Sequence, residues 1–438
     1  MSSMKGLQLV FQPRSVAVIG ASKNPRKFGN IILRNILESG YKGTVYPVNP
    51  KEEEILGKRC SKSIRDINEE VDLAVVVVPA EYVPRAVADC GEKGVAGTVI
   101  ISGGFRESGP KGVELERQIV IESKRFGLRI IGPNCQGISN LHHPICASWP
   151  LFTKRGSIAV ISQSGTVATA FADWASLDDL GISALVSMGN KADVDEADLI
   201  DYFSTHEGTK VIALYLEGTQ SPTKLLRSCS NCSKPIVVLK SGRSNQGKIA
   251  AESHTSSLAG NDELFQGILK QHRIRRADTF EDFYDLSKAI AYLSRPKGNK
   301  FVIITSSGGA AVLAIDMADK MNLEIPSVPL EVQASLRQIL PRGASVRNPV
   351  DLTGDGDSAM FKRAADIVRP YFDTVVYIFG DPIDGASDIV SPRENELVIF
   401  MGGAEVERKE KALMQQKGVP VFPTPERGMK AFGRLLEF

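Results

Sequence analysis

Short, strongly apolar, β-branched runs alternate along this chain with amphipathic stretches of helical length. The first runs are Ser15–Ile19, Gly43–Val48, Leu73–Val78, Gly97–Ser102 and Arg129–Ile131. Runs this apolar predict strands buried on both faces, as in a parallel sheet covered by helices. Asn30–Ser39, Val83–Lys93 and Gly112–Phe126 lie between them and predict the covering helices. Met1 to about His143 therefore reads as one βαβ-type domain. The rhythm restarts at Ser157–Ser162 and runs through Ile182–Ser187, Lys210–Leu216 and Pro235–Lys240, then a helical region from about Asp262 to Leu293. Arg295–Asn299 is polar and turn-rich, as a linker is. A third round opens at Lys300–Thr305, with strands expected at Thr374–Phe379, Glu396–Phe400 and Gly418–Phe422. Ser157–Gly165 is echoed by Phe301–Gly308, each a strand, a Ser/Gly turn and an Ala-rich helix opening. The expected fold class is α/β, with three doubly wound domains over 1–143, 144–294 and 300–438.

Composition narrows the function. The 438 residues suit about three domains of ordinary size. The 53 Lys and Arg against 51 Asp and Glu leave a net charge of +2, which excludes a strongly basic nucleic-acid binder and an acidic tail. No apolar run approaches the roughly 18 residues of a membrane helix. Met1–Gly6 lacks the charged, apolar and small-residue succession of a secretory signal. The six cysteines are scattered, as expected of a reducing, cytoplasmic setting. Cys229 and Cys232 read C-x-x-C but have no second pair, so chance spacing at a helix end is expected rather than a metal or redox site.

Ligands of open parallel sheets sit outside the C-terminal strand ends. After the first strand comes Gly20-Ala21-Ser22, leading through Lys27 to Gly29. A Gly-opened turn into a helix suits a phosphate held by N–H groups and the helix dipole. It departs from G-x-G-x-x-G, with Ser22 where the second Gly belongs. After the second strand, Asn49-Pro50-Lys51 stands where a nicotinamide dinucleotide site wants an acidic residue for the ribose. Asn49 and Lys51 tolerate a phosphate near the ribose instead, as coenzyme A carries. The bland alternative is an ordinary turn with a solvated lysine. Val78-Pro79, Ser102-Gly103 and Gly132-Pro133-Asn134 end further strands and can line the same crevice. In the second domain Gln163-Ser164-Gly165 precedes a helix that Ser164 can cap, and the exposed N–H groups either hold an anion or simply begin a helix. Of the histidines, His142 and His143 fall in a loop, His206 in a polar turn and His272 near a helix end. His254 lies in a small-residue stretch, Gly242–Gly260, with Arg243 and Lys248 nearby. A neutral imidazole there is a competent nucleophile, including toward phosphorus, or else a plain surface residue. Glu217, one strand earlier, could fix its tautomer.

Together these segments resemble the α subunit of ADP-forming acyl-CoA synthetases, a branch of the succinyl-CoA synthetase superfamily that includes ADP-forming acetate–CoA ligase. The residues that carry the resemblance are Val18–Ser22, Gly132–Cys135, Ser162–Gly165, Ser253-His254-Thr255 with Leu258–Gly260, Asn348–Gly354 and Val421–Arg427. The resemblance implies a Rossmann-like CoA-binding domain followed by two flavodoxin-like domains. It implies a reversible reaction in which acyl-CoA, phosphate and ADP give acid, CoA and ATP through an acyl phosphate and a phosphohistidine. His254 matches the phosphorylated histidine and Glu217 its supporting carboxylate. Gln163, Ser164 and Gly165 match the phosphate-receiving helix start. Gly20, Ala21, Ser22, Lys27, Asn49, Pro50, Lys51, Val78, Pro79, Ser102, Gly103 and Asn134 fall where the family holds CoA. Ser256 stands where the family commonly has Gly, which stiffens that stretch slightly.

No further α/β segment resembles the ATP-grasp unit that handles ADP in this superfamily. The resemblance therefore implies a separate ATP-grasp β subunit in an α2β2 assembly, with ADP or ATP and Mg²⁺ mainly there. A CoA-sensing regulatory module is the alternative from another class.

Overall fold

The computed structural model describes residues 3–249, 262–272, 274–295, 298–391 and 395–437. Strands form at the apolar runs. β1 (Ser15–Ile19), β2 (Thr44–Val48), β5 (Leu73–Val76), β6 (Gly97–Ile100) and β7 (Arg129–Ile131) make a parallel sheet in the order β2-β1-β5-β6-β7. A two-stranded hairpin, β3 (Glu54–Ile55) with β4 (Lys58–Arg59), follows β2. Val16, Val18, Val75 and Val99 are fully buried, each contributing about 1.5–3 kcal/mol on that account. The helices are α1 (Ser3–Phe11), α2 (Phe28–Glu38), α3 (Val83–Lys93) and α4 (Pro110–Phe126). α3 and α4 stop at Gly94 and Gly127, both left-handed, where a side chain would be strained.

The second sheet has seven strands in the order β14-β13-β12-β10-β11-β8-β9. β10 (Arg155–Ser162), β11 (Ile182–Ser187), β12 (Val211–Leu216) and β13 (Ile236–Lys240) are the expected runs, and they pair in parallel. Three strands depart from expectation. β8 (Gly137–Asn140) and β9 (Ile145–Ser148) form an antiparallel hairpin on β11. All eight of their residues are buried, yet small and polar residues break the apolar run that would have announced them. β14 (Arg275–Ala277) interrupts the helical region expected from Asp262 to Leu293. Its two arginines hide it, and Arg276 is buried because its guanidinium meets Asp262 at 2.6 Å. The intervening helices are α5 (Gly165–Leu177), α6 (Glu196–Thr205), α7 (Pro222–Asn231) and α8 (Asp262–Gln271), with α9 (Phe280–Tyr292) after β14.

The third sheet is parallel, in the order β16-β15-β17-β18-β19, from β15 (Phe301–Thr305), β16 (Val350–Asp351), β17 (Thr374–Phe379), β18 (Glu396–Phe400) and β19 (Val421–Phe422). Taking the main strands of each sheet in chain order, all three sheets follow 2-1-3-4-5, a doubly wound order with its switch point between the first and third strands. The internal echo holds in atomic detail. The Ser164 N–H donates to Ser162 Oγ at 3.1 Å, and the Ser307 N–H donates to Thr305 Oγ1 at 2.9 Å. Ser164 and Ser307 then cap α5 and α10 (Gly308–Lys320) through Val167 and Ala310 N–H.

The chain divides into two compact units. Met1–Trp174 with Gly181–Arg276 holds the first two sheets, and Ala175–Leu180 with Ala277–Phe438 holds the third. Within the second unit the fully buried Lys288 ammonium bonds Asp178 at 2.9 Å, and the Tyr284 hydroxyl bonds the same carboxylate. Of the expected linker, Pro296 and Lys297 lie outside the described residues. Among the described residues, no helix is long and apolar enough to cross a membrane.

Candidate functional site

The first sheet opens a cleft of about 630 Å³ at its C-terminal edge, on the switch point. Gly20 follows β1 with φ 92°, and a Cβ there would stand 2.5 Å from the Val77 carbonyl oxygen. A Cβ on Gly29 would stand 2.1 Å from the Gly20 carbonyl oxygen, so α2 rests directly on the turn. Asn30 Nδ2 donates to the Ser22 carbonyl and Asn49 Nδ2 to the Ala21 carbonyl, both at 2.7 Å. Lys27, at the N-cap of α2, provides no side-chain cap. The positive end of the helix therefore begins at the cleft without a capping side chain, as an anion site requires.

Of the predicted residues, Gly20, Ala21, Ser22, Lys27, Asn49, Val78, Pro79, Ser102 and Gly103 line this cleft. Arg26 and Phe28 also line it, and the sequence reading did not single them out. Pro50, Lys51 and Asn134 are not among its lining residues. Lys51 is exposed, and its N–H donates to Asn49 Oδ1 at 2.9 Å. Asn134, left-handed at φ 57°, donates its N–H to the Ser102 carbonyl at 2.9 Å. Ser102 Oγ ties the neighbouring strand ends together by donating to the Val78 carbonyl at 2.5 Å.

A second constellation stands at the C-terminal edge of the second sheet. Ser164 caps α5, and Gly165 lies against the Gln136 side chain so closely that a Cβ would meet its Cδ at 2.4 Å. Gln163 is buried, and its side-chain oxygen accepts the N–H groups of Glu217 and Gly218 at 2.6 and 3.1 Å. That oxygen is thus a brace between β10 and the end of β12, not an open ligand group. Glu217 is buried beside Tyr215, whose hydroxyl is 3.5 Å from Oε1. Lys240, ending β13, donates to the Glu217 carbonyl at 2.8 Å, and burial holds its ammonium pKa below the usual lysine value.

His254, with Ser253, Thr255, Ser256 and Leu258–Gly260, lies outside the described residues. The described residues on either side are tied together, since Arg243 and Arg276 both pair with Asp262. His142 and His143 occupy the turn between β8 and β9, bonding the Gly156 and Pro13 carbonyls. His206 is buried at the end of α6. Its pKa is pushed down to about 4 by burial, then by His142 and Lys234. His272 bonds Ser230. Cys229 and Cys232 are free thiols at the end of α7, and burial pushes the Cys229 pKa up to about 12.

Residues 14–140 match the CoA binding domain family, and residues 155–290 match the succinyl-CoA ligase like flavodoxin domain family. Over the whole chain there is 38% identity to the acetate–CoA ligase (ADP-forming) I subunit alpha of Pyrococcus furiosus, covering 99% of this chain and 97% of that protein. The chain belongs to the family of ADP-forming acetate–CoA ligase α subunits. Within the family it is also 37% identical to acetate–CoA ligase (ADP-forming) I of Archaeoglobus fulgidus, covering 98% of this chain but 63% of that longer protein. A solved ligase structure has the same fold. The dinucleotide forming acetyl-coenzyme A synthetase 1 of Ca. Korarchaeum cryptofilum, in complex with phosphate and ADP, superposes with a TM-score of 0.91 at 34% identity, covering 98% of this chain and 96% of that one.

Proposed function

We propose that the chain is the α subunit of a reversible ADP-forming acid–CoA ligase, working with an ATP-grasp β subunit in an α2β2 assembly. The name of the Pyrococcus furiosus relative supports a second kind of subunit. CoA occupies the first cleft. The Gly20–Ser22 turn and the start of α2 hold its diphosphate, Arg26 and Lys27 add charge, and Asn49-Pro50-Lys51 lies by the ribose phosphate. Ser102, Gly103 and Asn134 lie by the thioester. Phosphate sits at Ser164 and Gly165. The domain division 1–143, 144–294 and 300–438 belongs to this reading.

Phosphate oxygen attacks the thioester carbonyl, the C–S bond breaks, and CoA leaves as thiolate, giving an acyl phosphate. An imidazole nitrogen of His254 then attacks phosphorus, the P–O bond to the acyl group breaks, and the carboxylate leaves. The phosphoryl group passes from nitrogen to the β-phosphate oxygen of ADP, which is held with Mg²⁺ by the β subunit. Glu217 fixes the imidazole tautomer and offsets its positive charge.

The observation that carries the reading is the brace at Gln163. It ties the turn between β10 and the capped start of α5 to the buried Glu217, which follows the adjacent β12. The test is the αβ assembly incubated with acyl-CoA and phosphate, or with ATP. An acid-labile phosphohistidine at His254 is expected by mass spectrometry, together with ADP-dependent CoA release. Full turnover by His254→Ala refutes the carrier role. A panel of acetate, branched-chain and aryl acids then names the substrate.

A further inference from the structure

The turn after β11 reaches both sites through two consecutive residues. Asn190 is buried, and its Nδ2 donates to Glu107 Oε2 at 2.6 Å and to Glu116 Oε2 at 2.9 Å. Its Oδ1 lies 3.4 Å from Asn134 Nδ2, and its N–H donates to the Pro133 carbonyl at 2.9 Å. Lys191 is buried in the left-handed region at φ 55°, a conformation that a non-glycine residue keeps only where its surroundings over-determine it. Its ammonium donates to the Gly218 carbonyl at 2.8 Å and to Glu196 Oε2 at 2.9 Å. Gly218 is the residue whose N–H, with that of Glu217, rests on Gln163.

Glu107 anchors the other end. Its Oε1 accepts the N–H groups of Gly104 and Phe105 at 2.6 and 3.0 Å, fixing the main chain that follows the cleft-lining Ser102 and Gly103. A Cβ on Gly103 would stand 3.2 Å from Asn134 Oδ1 and 3.4 Å from Glu107 Oε1, so both groups stand directly behind the cleft-lining Gly103. Burial alone would raise the Glu107 pKa. The Asn190 amide and the two N–H groups outweigh it and hold the carboxyl below its ordinary value, so it is ionised at neutral pH. An ionised acceptor makes the Asn190 bond a charge-assisted one.

We propose that Glu107, acting through Asn190, is a positioning residue that sets the inner end of the CoA cleft against the Glu217 site, so that the thioester carbonyl meets phosphate. This rests on the functional reading above. The acyl transfer needs two bound reactants in register, and a misplacement of about 1 Å costs on the order of 100-fold in rate. A Glu107-to-Asn190-to-Lys191 link is a short covalent and hydrogen-bonded route between the groups that hold each reactant.

The test uses the assembled αβ enzyme with Glu107→Gln. This variant keeps an oxygen for the Gly104 and Phe105 N–H groups but turns an NH₂ toward the Asn190 NH₂. CoA release from acyl-CoA and phosphate should fall about 10- to 100-fold in kcat, with KM for acyl-CoA changed less than about threefold. Phosphoenzyme formed from ATP alone, which needs no CoA, should be unchanged. Glu107→Ala should give the same pattern more strongly, and Glu107→Gln decides the matter where the Ala variant does not fold. Loss of both half-reactions in step would show a merely structural role and overturn the proposal. So would unchanged CoA release. A wild-type assembly that releases no CoA overturns the functional reading and this proposal with it.

Discussion

Replacing Gln163 with Met keeps the length of a buried side chain and removes the oxygen that accepts the Glu217 and Gly218 N–H groups. Each buried N–H left unpaired costs about 1–3 kcal/mol, and transfer of the amide back to water in the unfolded state no longer opposes folding. The net loss expected is about 2–4 kcal/mol. At about 2.1 cal/mol/K per residue, a cooperative unit of roughly 270 residues loses close to 2 °C of Tm per kcal/mol. The variant should therefore melt about 4–7 °C lower by circular dichroism. Released from the brace, Glu217 no longer holds its carboxylate in one place, and phosphoenzyme formed from ATP should drop about tenfold. CoA affinity by calorimetry should stay at the wild-type level, because the cleft is built on the first sheet. A Met variant that melts within 1 °C of wild type and forms normal phosphoenzyme would show that the oxygen braces nothing.

Two further outcomes follow from contacts already described. Gly29→Ala places a Cβ where the Gly20 carbonyl oxygen is 2.1 Å away, so α2 must lift from the turn at a cost of about 1–3 kcal/mol. Calorimetry should find CoA bound at least tenfold more weakly, with phosphoenzyme from ATP unaffected; equal CoA affinity would remove α2 from the coenzyme site. His206 titrates at about 4 in the folded chain against an ordinary 6.5. Between those values the unfolded chain binds a proton that the folded chain does not. Stability is therefore complete above pH 6.5 and lost as the pH falls toward 4, by about 3 kcal/mol at most. Denaturant titrations at pH 7 and 4.5 should show this loss, and His206→Asn should remove most of it; an unchanged slope would mean that another group carries the dependence.

How much was legible follows from where each signal is stored. The strands β1, β5, β10 to β13, β15, β17 and β18 announce themselves because a strand buried on both faces carries a near-continuous apolar run. β8 and β9 are as buried, but each carries a single Ile, Ile138 and Ile145, among Gly, Ser, Asn, Cys and Ala, and only their neighbours make them strands. Gly20 and Ser164 were legible because a left-handed turn and a helix cap are decided within a few residues. Gln163 stands in a motif that the sequence singles out, yet its oxygen is taken up by Glu217 and Gly218, 54 and 55 residues away. Glu107 and Asn190 are 83 residues apart, and neither sits in a motif that names the other. For His254 the small-residue stretch and the family resemblance are the whole of the argument.

The bracing of Glu217 has a logic of its own. Three side chains converge there from three different strand ends: Gln163 after β10, Lys191 after β11 and Lys240 at the end of β13. Each bonds main-chain atoms of Glu217 or Gly218, and none of these three bonds involves the Glu217 carboxylate. A carboxylate that must meet a transient positive charge is useful in proportion to how little it moves when that charge appears. Fixing the backbone from three sides achieves this without spending the carboxylate on the fixing. The left-handed Lys191 fits the same logic, since backbone strain persists only where the surroundings over-determine it. Its ion pair with Glu196, its bond to the Gly218 carbonyl and its neighbour Asn190 do so. The arrangement also makes the three braces unequal. Loss of Gln163 or Lys240 disturbs the Glu217 side alone, whereas a change at the Asn190–Lys191 turn reaches both constellations, and so, under the proposed function, should weigh more on transfer between the reactants than on either binding step.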